Sequence, residues 1–406
     1  MAQVPDPNRP PNRRPGSVRE VLLVALRLGL TSFGGPVAHL GYFRREYVDR
    51  RQWLDEATYA DLLSLCQLLP GPASSELGIA IGTLRAGRLG GLAAWLGFTL
   101  PSAVALTLFA LISSNVDLAT AGWVEGLKLA AVAVVAQAVL VMARTLTPDR
   151  LRASIAVLAA IAMLLAPLPA FQVLVILAGG ALGWRLLGRD EPARPGRVRV
   201  SFEPRFGAAC LAICAALLVL LPLARVVITD QGLAVADAFY RTGALVFGGG
   251  HVVLPLLHSA VVSPGWIGDD RFLVGYGAAQ AVPGPLFTFA AFLGASLQTG
   301  PSGVVGAGLA LGSIFLPAFL LVWGVLPFWD RLRGSRAFAA AIRGVNAAVV
   351  GVLLAALVTP IGSGALHDPL EVAIAAVGLL ALTLGRLPPI AVVTAAALGG
   401  QLLALH

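Results

Sequence analysis

Long apolar segments alternate with short polar loops along nearly the whole chain. Four of the largely apolar runs cover residues 89–113, 123–143, 206–224 and 303–328. Each run approaches or exceeds the ~20 residues that an α-helix needs to cross a lipid bilayer. The pattern therefore predicts an all-α polytopic membrane protein.

Two of the apolar segments contain stretches that cannot continue as regular helix. Residues 66–72 read CQLLPGP and residues 279–285 read AQAVPGP. Proline lacks a backbone donor and glycine lacks a side chain, so the helix must break at each Pro-Gly-Pro. In a membrane, such breaks are tolerated only where protein or a water-filled cavity satisfies the freed backbone groups. We expect the two breaks to lie at the functional centre.

Several motifs recur in the same order in both halves of the chain. The matched pairs are SFGGP at 32–36 with VFGGG at 246–250, Trp53 with Trp266, the two Pro-Gly-Pro stretches, FTLP at 98–101 with IFLP at 314–317, and GLKLA at 126–130 with GVNAA at 344–348. The spacing between partners is nearly constant, which indicates an internal duplication. The sequence thus predicts a disordered cytoplasmic tail (1–17), a first repeat (18–188), a cytoplasmic linker (189–205), one extra transmembrane helix (206–228) and a second repeat (229–406).

The single extra helix has a topological consequence. If each repeat crosses the membrane an even number of times, this helix inverts the second repeat relative to the first. Inverted repeats that enclose a site near the membrane midplane are a recurrent transporter plan. Arginine-rich loops mark the cytoplasmic side, which predicts a multi-pass inner-membrane protein with a cytoplasmic N-terminus.

Residues 44–51 contain four arginines, which would face outward if residues 18–38 crossed the membrane completely. A re-entrant hairpin keeps these charges inside. We therefore predict two broken hairpins in the first repeat, with half-helices at 18–32, 36–47, 58–69 and 73–84. With every hairpin counted once, about 13 apolar segments follow. Full-length crossings remain the alternative.

The composition supports the membrane assignment and excludes other classes. Hydrophobic residues make up 57% of the chain and charged residues only 12%, against roughly 25% charged residues in soluble domains. The net charge of +8 is explained by topology-determining loops rather than by nucleic-acid binding. The sequence contains no hydrolase motif, phosphate-binding loop or metal-ligand spacing, so it predicts neither an enzyme nor a cofactor.

Two arginines stand inside apolar segments at matching places in the two repeats. Arg27 and Arg241 each lie six residues before a Phe-Gly-Gly break. A buried arginine is costly in a membrane and by default marks a substrate or ion path. The alternative is local pairing, of Arg27 with Glu20 and of Arg241 with Asp237.

The breaks themselves favour an anion. Half-helices that begin after them would direct backbone N–H groups and positive dipole ends towards the midplane. Planar arginine groups and N–H donors suit a small oxyanion. The further candidate binding residues are Gly34, Gly35, Gly71, Ser74, Ser75, Gly248, Gly249, Gly284 and Thr288. The competing interpretation is that glycine and proline only permit close helix packing.

Other polar residues could carry a proton or line the path. Glu76, His39 and His251 are candidates for proton coupling, although Glu76 could equally pair with an arginine. Lys128 and its counterpart Asn346 could line the path, or Lys128 could pair with Glu125 one helical turn away.

At these residues the chain resembles the chromate transporter family in its long, two-domain form. The motifs that carry the resemblance are FGGPxAH at 33–39, RxW at 51–53, CQxLPGP at 66–72, FGGGHxVxPL at 247–256 and QxxPGP at 280–285. The resemblance implies a secondary transporter, an antiporter driven by the proton motive force, that exports chromate and confers resistance to it.

One departure from the family pattern concerns selectivity or coupling. Glu76 stands where the family often has glutamine. Sulfate or another oxyanion remains an alternative substrate, because these residues do not separate anions of equal shape and charge. A passive anion channel is a further alternative, and the sequence leaves the oligomeric state open, a homodimer included.

Overall fold

The computed structural model describes residues 16–115, 122–166, 169–188, 203–246, 253–332, 334–385 and 387–403. Within these residues the chain is helical, without a β-strand. The helices before the linker are α1 (Val18–Thr31), α2 (Gly35–Phe43), α3 (Glu56–Leu68), α4 (Ala73–Ile112), α5 (Gly122–Leu146), α6 (Arg150–Leu165) and α7 (Pro169–Leu186). Those after it are α8 (Pro204–Val227), α9 (Gln231–Leu245), α10 (Val253–Val261), α11 (Asp269–Ala281), α12 (Phe289–Ala295), α13 (Gly303–Val325), α14 (Trp329–Leu332), α15 (Arg336–Ala356), α16 (Pro369–Thr383) and α17 (Pro389–Leu403). The predicted all-α class is confirmed.

Five helical segments in the described residues are long and apolar enough to cross a membrane. They are α4, α5, α8, the segment Gly303–Leu332 that begins with α13, and the segment Arg336–Thr359 that begins with α15. Four further apolar helical segments, which lie in α7, α12, α16 and α17, are shorter. The structure therefore supports a multi-pass membrane protein, whereas the count of 13 segments stays a prediction.

The first repeat breaks where the sequence predicts. α1 ends at Thr31, and Gly34 adopts a left-handed conformation (φ +102°) before α2 begins. α3 ends at Leu68, and the Pro-Gly-Pro turn precedes the start of α4 at Ala73. α2 differs in one respect from the predicted half-helix 36–47, because it continues beyond Phe43 as a π-helical turn, Arg44–Arg50.

α4 is longer than its predicted half-helix because two helices join at a sharp turn. Ala86 and Gly87 have non-helical torsions, which divide α4 into a first arm (residues 73–85) and a second arm (residues 88–112). The arms fold back on each other so closely that a Cβ on Gly82 would overlap the Gly90 carbonyl. The first arm is the half-helix expected at 73–84.

The outer ends of the first-repeat hairpins meet at one place. Glu20, near the start of α1, forms ion pairs with Arg51 (3.8 Å) after α2 and with Arg85 (3.3 Å) at the end of the first arm of α4. The Gly16 N–H also donates to the Arg85 carbonyl at 3.0 Å. The start of α1, the residues after α2 and the end of the first arm of α4 therefore lie close together.

The two halves interlock through glycine contacts. α5 packs on α17, where a Cβ on Gly126 would overlap the Ala396 carbonyl. The equivalent helix α15 packs on α7, where a Cβ on Gly344 would overlap the Gly179 carbonyl. Close backbone approach through small residues is the usual mode of helix association in membranes. The last helix of each half therefore packs against the other half.

Candidate functional site

The breaks of the two halves are joined by a reciprocal pair of hydrogen bonds. The Gly284 N–H donates to the Ser32 carbonyl at 3.0 Å, and the Gly71 N–H donates to the Val246 carbonyl at 2.6 Å. Ser32 and Val246 occupy equivalent positions, as do Gly71 and Gly284. Each Pro-Gly-Pro turn therefore binds the first break of the other half. We call the region around these two hydrogen bonds, one between Gly284 and Ser32 and one between Gly71 and Val246, the junction.

Glycine is required at both Pro-Gly-Pro turns. The φ angles of Gly71 and Gly284 are +144° and +101°. L-residues that carry a side chain rarely adopt such angles. A Cβ on Gly284 would also lie 2.8 Å from Ser102 Oγ. At Gly71 it would collide with the carboxyl group of Glu76. The turn geometry thus holds two polar side chains against the junction.

Polar side chains from the first half surround the junction and are buried: Ser32, His39, Ser74, Ser75, Glu76, Thr99 and Ser102. His39 Nδ1 lies 3.4 Å from Ser74 Oγ, which links α2 to α4. The other ring nitrogen of His39, the hydroxyls of Ser32, Ser75 and Thr99, and both Glu76 oxygens have no hydrogen-bond partner among the described residues. Buried polar atoms are normally paired. These atoms are therefore available for hydrogen bonds with a bound ligand.

Helix N-termini add donors at the junction. α4 begins at Ala73, directly after the first Pro-Gly-Pro, and no side chain caps it. Residues Leu286–Thr288 form a 3₁₀ turn after the second Pro-Gly-Pro and are also uncapped. Free N–H groups and the positive end of the dipole favour an anion at a helix start. Thr288 does not contribute a free hydroxyl, because its Oγ1 donates to the Pro285 carbonyl at 2.7 Å.

The two candidate arginines differ in their surroundings. Arg27 is exposed and forms no ion pair with any described residue, so it is neither buried nor paired with Glu20. The Arg241 side chain is 41% exposed and contacts Asp237 at 2.8 Å, which is the predicted local pair. Asp237 itself is fully buried and also contacts Arg225 of α8 at 2.8 Å.

The other candidates are placed as follows. Lys128 forms ion pairs with Glu125 (2.6 Å) and with Asp270 of α11 (3.0 Å), so the local pairing considered from the sequence is present. Asn346 is half-buried, and its side-chain oxygen has no partner among the described residues. The predicted site residues Gly248, Gly249 and His251 lie outside the described residues. Gly34 and Gly35 form the left-handed turn at the first break.

One face of the first half carries a charged cluster. Arg51 contacts Glu46 at 2.7 Å and Arg50 contacts it at 3.2 Å. Burial alone would raise the pKa of the Glu46 carboxyl, but the hydrogen bond from Arg51 and the charges of both arginines lower it. Arg44 binds Glu56 at 2.9 Å, which fixes the start of α3 beside the cluster. Arg44 also contacts Asp49 at 3.3 Å, so all three arginines of the cluster are paired with carboxylates.

The face of α3 that leads from this cluster to the junction is exposed and consists of small or polar residues: Ala57, Ala60, Ser64 and Gln67. By contrast, the exposed residues of the second arm of α4 are bulky and aliphatic, such as Leu89, Leu96 and Leu108. Aliphatic faces suit lipid and small polar faces suit water. The exposed face of α3 thus carries smaller side chains than the aliphatic face of α4 that suits lipid.

Sequence reasoning missed Ser32, Thr99 and Ser102 as site residues. Ser32 stands in the SFGGP motif and Thr99 in the FTLP motif, so the repeat comparison marked both segments. Their hydroxyls gave no separate signal, because serine and threonine in apolar helices commonly bond to a carbonyl of the preceding turn.

A helical membrane fold in which broken helices meet at a buried polar centre defines a membrane transport protein. Residues 19–184 and 233–401 match the profile of the chromate transporter family, and the chain belongs to this family. The two matched regions correspond to the two halves that the motifs define.

Relatives cover most of the chain. The chromate transport protein of Pseudomonas aeruginosa is 31% identical over 84% of this chain and 80% of its own length. The probable chromate transport protein of Synechococcus elongatus is 29% identical, over 87% and 86% respectively. The chromate transport protein of Cupriavidus metallidurans is also 29% identical, over 84% and 82%. No solved structure gives a significant match to the chain.

Proposed function

We propose that this protein is a secondary transporter that exports chromate, a tetrahedral dianion, across the inner membrane, and that the junction is its binding site. The observation that carries the proposal is the set of unpartnered buried polar atoms beside two uncapped helix starts. Such an arrangement supplies hydrogen-bond donors from several directions, as an oxyanion requires.

The proposed binding groups are the backbone N–H groups and hydroxyls around the breaks. Ser74 and Ser75 lie in the first turn of α4, and four glycines let the anion approach the backbone: Gly34, Gly35, Gly71 and Gly284. Arg27 and Arg241 are the proposed sources of full positive charge at longer range, whereas Lys128 is already paired with Glu125 and Asp270. The Nε of Arg241 is buried without a partner among the described residues, which leaves it able to bind an anion.

We further propose that the two halves are inverted repeats. α8 has 24 residues and is roughly 36 Å long at about 1.5 Å per residue. The guanidinium of Arg88, near the Arg85 end of the first-half hairpins, stacks on Phe206 at the start of α8 (4.3 Å). The end of α8 leads directly to α9, whose first residue, Gln231, packs against Gly300. The hairpins of the two halves therefore enter from opposite ends of α8, which supports inversion and re-entrant hairpins.

The same geometry supports alternating access, in which the hairpins of one half open while those of the other close. The exposed face of α3 provides the open approach, on the arginine-rich side that we assign to the cytoplasm. α11, the equivalent helix of the second half, is buried from Phe272 to Gly277. Substrate would reach the junction from the cytoplasm in this conformation.

Proton coupling is the proposed driving force, with Glu76 as the proton carrier and His39 beside it. Glu76 is fully buried, and both of its oxygens lack a partner among the described residues. A buried carboxylate without a partner is costly, so such a group tends to be protonated and can release the proton when its surroundings change. Glu76→Gln should therefore change the pH dependence of transport; an unchanged pH profile would remove Glu76 from this role.

The function is tested by radiolabelled chromate flux into inside-out vesicles, with and without a pH gradient. We expect saturable uptake that the gradient stimulates. Competition with sulfate distinguishes the two oxyanions: inhibition by sulfate at concentrations similar to chromate would favour a general oxyanion transporter. Absence of chromate uptake above that of empty vesicles would refute the proposal, and uncoupled currents in reconstituted protein would indicate a channel.

The arginine assignments have their own test. Arg27→Ala and Arg241→Ala should each lower chromate flux strongly while the protein still reaches the membrane. The exposed Arg150, outside the junction, provides a control as Arg150→Ala. Normal transport by both variants would show that the full charges lie elsewhere.

A further inference from the structure

The junction is symmetric in its backbone but not in its side chains. The first half places Ser32, His39, Ser74, Glu76, Thr99 and Ser102 there. The equivalent residues of the second half are Val246, Val253, Phe287, Phe289, Phe315 and Ala318. All six of these are buried, with at most 1% exposure. At these six positions the first half is polar and the second half apolar, whereas Ser75 and its counterpart Thr288 are both polar and buried.

Three hydroxyls among the polar side chains, those of Ser32, Ser75 and Thr99, are unusual because they have no hydrogen-bond partner among the described residues. Most serine and threonine side chains in the helices donate to a carbonyl of the preceding turn. Thr31 donates to Arg27 at 2.8 Å and Thr107 donates to Ala103 at 2.7 Å. By contrast, Ser32 directly after α1 and Thr99 in α4 are buried to 1% exposure or less. Neither hydroxyl has a partner among the described residues.

Both hydroxyls belong to segments that flank the same glycine. The Ser32 carbonyl accepts from Gly284 N–H, and a Cβ on Gly284 would lie 3.2 Å from the Phe98 carbonyl, which adjoins Thr99. Ser102 lies one helical turn after Thr99 in α4, and its Oγ donates to the Thr99 carbonyl at 3.1 Å. The Ser32 backbone and the backbone directly before Thr99 thus both lie against the second Pro-Gly-Pro turn.

We propose that the hydroxyls of Ser32 and Thr99 bind the transported oxyanion directly. This inference rests on the proposed function. An unpaired buried hydroxyl destabilises a protein, so two of them beside uncapped helix starts indicate a bound partner that accepts hydrogen bonds. The apolar side chains of the second half lower the polarity around the anion, which strengthens each hydrogen bond to it.

The first test removes one hydroxyl without changing the shape of the side chain. Thr99→Val should raise the KM for chromate about tenfold or more, because a hydrogen bond to a charged group is lost. The melting temperature should stay the same or increase, since no folded-state hydrogen bond is removed. A structural role would instead lower it. Thr107→Val, which removes a hydroxyl bonded within the same helix, should leave the KM unchanged.

Two further variants separate the hydroxyl from side-chain volume. Thr99→Ser keeps the hydroxyl and should keep the KM close to that of the wild type; a KM as high as that of Thr99→Val would overturn the inference. Ser32→Ala tests the second hydroxyl and should also raise the KM about tenfold or more.

The outcomes distinguish this inference from the proposed function. If the wild-type protein transports chromate while Thr99→Val and Ser32→Ala keep its KM, the inference is wrong and the proposed function stands. If the wild-type protein transports no chromate, the proposed function fails first.

Discussion

A pair of engineered cysteines at positions 64 and 345 should form a disulfide only in a second conformation, in which α3 is packed and α11 is exposed. In this structure α11 packs on α5: Gly277 lies against Leu127, and Asp270 forms an ion pair with Lys128 at 3.0 Å. α3 is the counterpart of α11, but its corresponding face is exposed. Alternating access between inverted repeats exchanges the two arrangements. α3 should then pack on α15, the counterpart of α5, with Ser64 against Val345.

The expected separation follows from the packed side. A Cβ on Gly277 would lie 3.2 Å from the Cβ of Leu127. Disulfides join residues whose Cβ atoms are about 3.5–4.5 Å apart. Gly277→Cys with Leu127→Cys should therefore cross-link after a small adjustment in the described conformation. Ser64→Cys with Val345→Cys should reach the same separation only when α3 has closed.

The assay uses a background in which the three native cysteines, Cys66, Cys210 and Cys214, are replaced. After mild oxidation in vesicles, cleavage at an engineered protease site between the two halves separates uncross-linked chains on a gel. Each cross-link should stop chromate flux, and reductant should restore it. Before oxidation, Ser64→Cys should react with a membrane-impermeant thiol reagent from the arginine-rich side.

Two cross-linking patterns would refute this exchange of arrangements between α3 and α11. If the 277–127 pair cross-links but the 64–345 pair never does, with or without chromate and across a range of pH, then α3 does not take the position of α11. Equal cross-linking of both pairs in a single molecule would also contradict it, because the two closed arrangements exclude each other.

Three further predictions concern the turns and the charges. Gly284→Ala should lower transport about tenfold or more, because a side chain at φ +101° is strained by roughly 1–3 kcal/mol, whereas Gly312→Ala, at an open position, should not. Asp237→Asn should lower the melting temperature more than Asp149→Asn does, because the Asp237 side chain is 0% exposed and that of Asp149 is 44% exposed. The lowered pKa of Glu46 stabilises the fold above pH 4.5, so acidification below that value should destabilise the wild type more than Glu46→Gln, as measured by melting curves.

The positions of the breaks could be predicted from sequence because proline and glycine act locally. The predicted ends of the half-helices at 18–32 and 58–69 lie within two residues of those of α1 and α3. Pairing of the breaks across the two halves could not be predicted, since it depends on how the repeats interlock. The backbone bonds from Gly71 and Gly284 that join them are independent of side-chain identity.

The environment of Arg27 was not predictable for a related reason. Matching positions in two repeats have matching surroundings only if the same neighbours cover them. Asp237, which binds Arg241, is replaced by Leu23 in the first half. α8, which brings Arg225 to Asp237, has no counterpart there within the described residues. Repeat comparison therefore located both arginines but not their exposure.

The same asymmetry bears on which half moves. The buried carboxylate of Asp237 joins α8 to α9 through Arg225 and Arg241, and Tyr240 adds a hydrogen bond from its hydroxyl to the Cys214 carbonyl at 3.0 Å. Breaking these contacts would leave a charge buried without a partner, at a cost of several kcal/mol. The ion pairs of α1, from Glu20 to Arg51 and Arg85, join elements within the first half, and α3 is already exposed along one face. Because motion follows the least costly separation, we expect the hairpins of the first half, which carry the polar side chains of the junction, to move against a second half that α8 holds in place.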